Sequence, residues 1–141
     1  MALDMAKYVN LFLEEGTEHL AEMSRGLLAL EKDPASADSI DLIFRMAHSI
    51  KSMAASLGFD SISEVAHRLE DRMQTIRAEG RVGSTDLSLL FRGLEAMERM
   101  VGHVREHGEP PPVDESLVAE LRAAPASASD VGEPNPKKVQ S

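Results

Sequence analysis

Six apolar residues, Ile40, Ile43, Ala47, Ile50, Ala54 and Leu57, recur at intervals of 3, 4, 3, 4 and 3, and this spacing constrains the fold more than any other feature of the chain. At about 100° per residue it draws one continuous stripe along a helix, whereas a half-buried strand needs strict alternation. A helix with a single apolar stripe is stable only when other helices cover it. The same helical spacing, exact in two cases and with one adjacent pair in the third, occurs three more times. Leu13, Gly16, Leu20, Met23, Leu27 and Leu30 form an earlier stripe, preceded by Tyr8 and Phe12, with Glu14, Glu15, Glu18 and Glu22 on the charged face. Ile62, Val65, Ala66, Leu69, Met73 and Ile76 form a third, and Leu87, Leu90, Leu94, Met97, Val101 and Val104 a fourth. Strand signals are absent.

Punctuation between the stripes sets the helix ends. Asp33-Pro34 closes the first helix, because proline disfavours helix in the residue before it. Gly58 suits a left-handed C-terminal position and closes the second. Ser61-Ile62-Ser63-Glu64 reads as a capping box for the third, with Asp60 as a competing cap. Gly80 and Gly83 break the pattern, and Ser84 or Thr85 can cap the fourth. Short connections between helices of similar length favour antiparallel neighbours, so the fold class expected is all-α, an antiparallel four-helix bundle over residues 1–108. Beyond the triple proline at Pro110, Pro111 and Pro112, Leu117, Val118 and Leu121 allow a short fifth helix within 109–123. Residues 124–141, rich in Ala, Ser and Pro, read as a flexible linker or tail; Lys137 and Lys138 are expected as solvated charges there.

Composition excludes several functions. With 141 residues the chain has room for one small core and no second domain to form a cleft or bind a nucleotide. It has no cysteine, which removes disulfide scaffolds, thiol nucleophiles and cysteine zinc sites. A formal charge of -9 and the absence of tryptophan argue against nucleic-acid binding. No secretory signal or long apolar run is present, so the expectation is a soluble, cytoplasmic, monomeric domain without membrane insertion. The methionines Met23, Met46, Met53, Met73, Met97 and Met100 sit at or beside core spacing and read as adaptable packing, with no binding groove required.

Chemistry concentrates in the second and third helices. His48 falls roughly 120° from the centre of its stripe and should face water. Ser52 and Ala55, four and seven residues on, share its strip and carry little bulk, so a partner surface could approach the imidazole closely. Lys51 lies one turn away. On the third helix His67 and Glu70 fall roughly 90° to 150° off the core stripe and share a turn. If these two helices are antiparallel neighbours, His48, Lys51, His67 and Glu70 can converge on one exposed seam. A carboxylate holding one imidazole nitrogen fixes the tautomer and frees the other as a nucleophile. A nearby cation stabilises negative charge that develops beside such a nucleophile. The plainer readings are a surface histidine, a solvating lysine and an ordinary i, i+3 pair, and His19, His103 and His107, lacking such companions, are assigned solvent or structural roles.

Three segments, Tyr8 to Pro34 (YVNLFLEEGTEHLAEMSRGLLALEKDP), Ala47 to Phe59 (AHSIKSMAASLGF) and Glu64 to Glu70 (EVAHRLE), together resemble the N-terminal histidine-phosphotransfer domain of chemotaxis-type histidine kinases, the CheA family. The similarity covers roughly residues 5 to 107. One position departs: Ser52 stands where the family usually has glycine, which bears on docking and on the orientation of the phosphorylated ring. The resemblance implies that His48 accepts a phosphoryl group from ATP on a kinase catalytic domain, in cis or in trans, and passes it to an aspartate of a response-regulator receiver domain. Glu70 then orients the imidazole, Lys51 stabilises phosphate charge, His67 assists, and Ser52 and Ala55 receive the partner. No cofactor or metal is expected on this domain, ATP and Mg belonging to the partner domains. Whether such a phosphoryl-carrying domain counts as an enzyme depends on the kinase it serves, since the chain carries no nucleotide motif of its own. Two alternatives compete, a phosphorelay protein outside chemotaxis and a non-catalytic helical adaptor. A di-iron bundle is a third, but Glu64-Val65-Ala66-His67 is the only Glu-x-x-His match and points away from the core.

Overall fold

The structure, a computed structural model, describes residues 4–123; the linker expected at 124–141 lies outside them. Five helices follow in order: α1 (Met5–Lys32), α2 (Ala37–Ser56), α3 (Asp60–Glu79), α4 (Ser84–His107) and α5 (Glu115–Arg122). No strand occurs among the described residues. Helices α1 to α4 close a ring in which each packs on the next and α4 returns to α1, while α5 lies across α3 and α4. The Val82 N–H donates to the Pro34 carbonyl at 2.9 Å, tying the α3–α4 loop to the α1–α2 loop. At the opposite end the rings of Phe12 and Phe59 meet edge to face, centroids 5.5 Å apart, so α1 is anchored to the α2–α3 turn. These two ties place alternate loops at opposite ends, the up-down antiparallel arrangement.

All four stripes meet in one core. Leu27, Leu30, Ile43, Ala47, Ile50, Ala54, Ile62, Val65, Leu69, Met73 and Met97 lose all contact with solvent, the non-directional burial that drives assembly. The α1 stripe is shifted from expectation. Phe12 is buried, Leu13 is partly buried and Tyr8 is 49% exposed, because Tyr8 lies one turn beyond the Phe12–Phe59 contact, where little covers it. Two helix starts also differ. Helix α3 begins at Asp60 behind Phe59, with no side-chain cap, in place of the Ser61–Glu64 capping box. Gly58, at φ +76°, turns the chain, and Phe59 N–H donates to the Ala54 carbonyl at 2.9 Å; this tight closure starts α3 before the capping residues are reached. Helix α4 begins behind Gly83, also without a side-chain cap, in place of the Ser84 or Thr85 cap. Its first turn is fixed instead by Asp86, buried against Arg72 of α3.

The fifth helix is present and docked. Leu117, Val118 and Leu121 are buried, and the Asp114 side chain accepts from the Leu117 N–H at 3.1 Å as its cap. Arg72 donates to the carbonyls of Glu120, Leu121 and Ala123 at 3.0–3.3 Å, so α5's terminal acceptors are satisfied by a guanidinium that also pairs with Asp86.

Candidate functional site: an exposed imidazole held by a buried carboxylate

His48 sits on the outer face of α2, its side chain 56% exposed. The position follows from the stripe: Ala47 and Ile50 turn into the core with no exposure, so the residue between them on the opposite side is forced outward. Antiparallel packing of α3 beside α2 brings Glu70 level with it. His48 Nδ1 and Glu70 Oε2 are 2.6 Å apart, and Lys51 Nζ lies 2.5 Å from Glu70 Oε1. One carboxylate thus spans two side chains of the facing helix. A carboxylate only accepts, so the proton in the short contact belongs to Nδ1, and Nε2 carries the lone pair facing solvent.

Glu70 itself is buried, contrary to the expectation that its phase leaves it open. Phase within one helix measures distance from that helix's own stripe; the flank of α3 carrying Glu70 is covered by α2. Desolvation by that burial pushes the carboxyl pKa up, but hydrogen bonds from Lys51 and His48 and the charge on both outweigh it, leaving Glu70 below the ordinary carboxylate value. Ser63 Oγ of α3 donates to the Lys51 carbonyl at 3.4 Å, a further tie that sequence spacing did not single out.

His67 does not join the group. Its Nε2 lies 3.6 Å from Asp71 Oδ2, and its Nδ1 is 3.1 Å from Arg68 Nη2, so it belongs to a surface cluster along α3. The four-residue seam is therefore a three-residue one, because the i, i+4 acid on its own helix reaches His67 before any group on α2. Glu64 pairs with Arg68 at 3.3 Å and does not project into the core. Ser52 and Ala55 are exposed beside His48, as their place on its strip predicts. On the α1 side of this strip, Met5, Tyr8, Leu11, Met53, Ser56 and Leu57 line an open apolar groove of about 410 Å³. Met53, partly buried, packs against the core as its spacing suggested and also lines this groove. Met5, Tyr8 and Leu11 are each nearly half exposed, and of the three only Tyr8 was singled out in sequence, as a residue leading into the first stripe. His103 and His107 stack with ring centroids 4.3 Å apart near the end of α4, far from Glu70 in sequence and unconnected to it by any described contact.

No helix among the described residues is long and apolar enough to cross a membrane. Comparison with known proteins matches the chain and its fold to a family. The profile of the Hpt domain matches residues 7–107. The chain is 33% identical over 140 residues to the chemotaxis protein CheA of Bacillus subtilis, covering 99% of this chain and 21% of that protein, so it spans about a fifth of the curated relative's length. Among solved structures it is 31% identical to the CheA phosphotransferase domain from Thermotoga maritima, with a TM-score of 0.66, covering 74% of this chain and 99% of that one. The fold is also shared, at 23% identity and a TM-score of 0.75, with the phosphorylated P1 domain of CheA3 from R. sphaeroides, solved in complex with CheY6, covering 82% of this chain and 93% of that one. With its outward histidine, the acid and lysine that face it and a family match that takes in all four bundle helices, the chain belongs to the Hpt domain family, of the kind found in CheA.

Proposed function

We propose that His48 is a phosphoryl carrier in chemotaxis-type two-component signalling, charged from ATP by a kinase catalytic domain and discharged onto a receiver aspartate. The observation that carries this reading is the 2.6 Å contact between Glu70 Oε2 and Nδ1 of an imidazole that is otherwise open to solvent. It leaves Nε2 as the nucleophile. Attack of Nε2 on the γ-phosphorus forms an N–P bond as the bond to ADP breaks, and the ring becomes an imidazolium whose Nδ1 proton faces Glu70. Lys51, already 2.5 Å from Glu70, offsets charge on the phosphoryl oxygens. The exposed strip of Ser52 and Ala55, continued by the apolar groove at Tyr8 and Met53, supplies a face for the receiver. The R. sphaeroides neighbour, phosphorylated and bound to CheY6, supports a receiver as the partner. His67, engaged with Asp71 and Arg68, is given no direct part in the transfer.

In this reading ATP and Mg reside on partner domains, this domain binds no cofactor of its own, and phosphotransfer takes place in the cytoplasm. Incubation of the chain with a chemotaxis-type kinase and labelled ATP tests it. An acid-labile, base-stable label on His48 that a receiver domain removes is the expected result. A folded chain that takes no label overturns the reading in favour of a helical adaptor, and labelling retained in His48→Gln overturns it by moving the nucleophile to another residue. Labelling that only a receiver from another pathway removes would reassign the chain to a phosphorelay outside chemotaxis.

A further inference from the structure

Beyond Lys51, the strip bearing His48 carries a second cation, and its surroundings are unusual. Arg45 lies one turn N-terminal to His48, where Cβ atoms are about 5–6 Å apart. Side chains of a helix lean toward its N-terminus, so the imidazole tilts over the turn that Arg45 occupies. Arg45 is 58% exposed, and its Nε donates to Asp41 Oδ2 at 3.0 Å. The other oxygen of Asp41 is already taken: Arg77 of α3 pairs with Oδ1 at 3.3 Å and rests over the Phe44 ring at 4.9 Å. One carboxylate therefore serves two guanidiniums, one of them, Arg77, braced by an aromatic face. Arg45 can leave without stranding Asp41, and an exposed ion pair of this kind is weak.

Lys51 and Arg45 flank His48 by three residues on either side, but their engagements differ. Lys51 stays paired with Glu70 and has further N–H donors to offer a phosphate, whereas Arg45 is the one that exchanges partners. A guanidinium prefers the paired oxygens of a phosphoryl group, which carry more charge than a carboxylate and accept its fork in parallel. Resting on the phosphoryl-carrier reading above, we propose that Arg45 is a second phosphate-binding group, which leaves Asp41 for the phosphoryl oxygens once Nε2 of His48 is charged. The phosphorylated state is then clasped from both sides, by Lys51 and by Arg45.

The test uses the 141-residue chain and phosphoramidate, a small donor that needs no kinase. Nε2 of His48 attacks phosphorus, the bond from phosphorus to nitrogen breaks, ammonia departs, and the Nδ1 proton stays on the ring facing Glu70. Phosphorus NMR then follows the second ionisation of the phosphoryl group. The charged groups facing it are Arg45, Lys51 and Asp41 of α2 and Glu70 of α3. Loss of a cation at contact distance should raise the midpoint by roughly half a unit in Arg45→Ala, with Arg45→Lys regaining most of it. Arg77→Gln, which removes a charge on the same carboxylate from the far side, should move it by less than half as much. Coincident titration of Arg45→Ala and the unaltered chain, or an equal shift in Arg77→Gln, overturns the inference while leaving the carrier reading standing. Absence of any phosphohistidine resonance on His48 in the unaltered chain instead overturns the carrier reading, and the inference with it.

Discussion

Burial makes an ionised carboxylate costly, yet Glu70 stays ionised because two partners on α2 hold it. Its pKa lies below the ordinary value of 4.5, with desolvation opposing and the Lys51 and His48 contacts prevailing. A carboxyl depressed on folding contributes stability that is present above its unfolded pKa and is lost as pH falls through the folded one. The domain should therefore lose stability on acidification below about pH 4.5, and Glu70→Gln should flatten that loss; urea unfolding at neutral pH and near pH 3.5 measures both, and parallel slopes would refute the linkage. His48→Gln, at an exposed site, should change stability by less than about 1 kcal/mol. Of the residues at the site, His48 and Lys51 were legible in sequence because their own helix's stripe sets which way they point. The burial of Glu70 and the departure of His67 were not, since each depends on what another side chain or helix reaches first.

At the level of elements, helix existence was written in the 3,4 spacing, while helix starts were not. The caps expected at Ser61 and at Ser84 or Thr85 gave way to Phe59 and Gly83, because the Phe59–Phe12 contact and the buried Asp86 place those turns more firmly than a local hydroxyl could. Two glycines inside α1 separate local from tertiary demands. A Cβ on Gly16 would meet nothing within 4 Å, whereas on Gly26 it would come within 2.9 Å of Ile43 Cγ1. Replacing glycine by alanine in a helix gains about 1 kcal/mol, so Gly16→Ala should raise the melting temperature. Ile43 is fully buried and stiff at χ1, so Gly26→Ala should be net destabilising, by up to about 2 kcal/mol after the overpacking cost of roughly 1–3 kcal/mol. Thermal unfolding followed by circular dichroism distinguishes the two; stabilisation by both would show that α1 and α2 can separate freely.

For the molecule as a whole, the bundle is completed by α5, and Arg72 is the residue that completes it. Its guanidinium pairs with Asp86 of α4 and donates to the last carbonyls of α5, so one buried side chain joins three helices. Arg72→Ala would leave the Asp86 charge buried without its partner, and breaking such a pair costs about 3–5 kcal/mol. The expected result is a large fall in urea midpoint together with faster proteolysis after residue 108. An unchanged midpoint would show that α5 contributes nothing to the fold. Nothing in the spacing announced this pair, since an arginine beside a core stripe looks the same whether it faces water or a neighbouring helix.

The sequence by itself determined the number and type of helices, the faces that meet, and the outward placement of His48, because helical periodicity converts residue spacing directly into direction around one axis. Only the tertiary structure decided which groups share a site: Glu70 with His48 and Lys51, His67 with Asp71 and Arg68, Arg72 with Asp86 and α5. Those pairings depend on the rotation and height of one helix against another. Close packing of whole side chains sets both quantities, and no single helix's periodicity carries them.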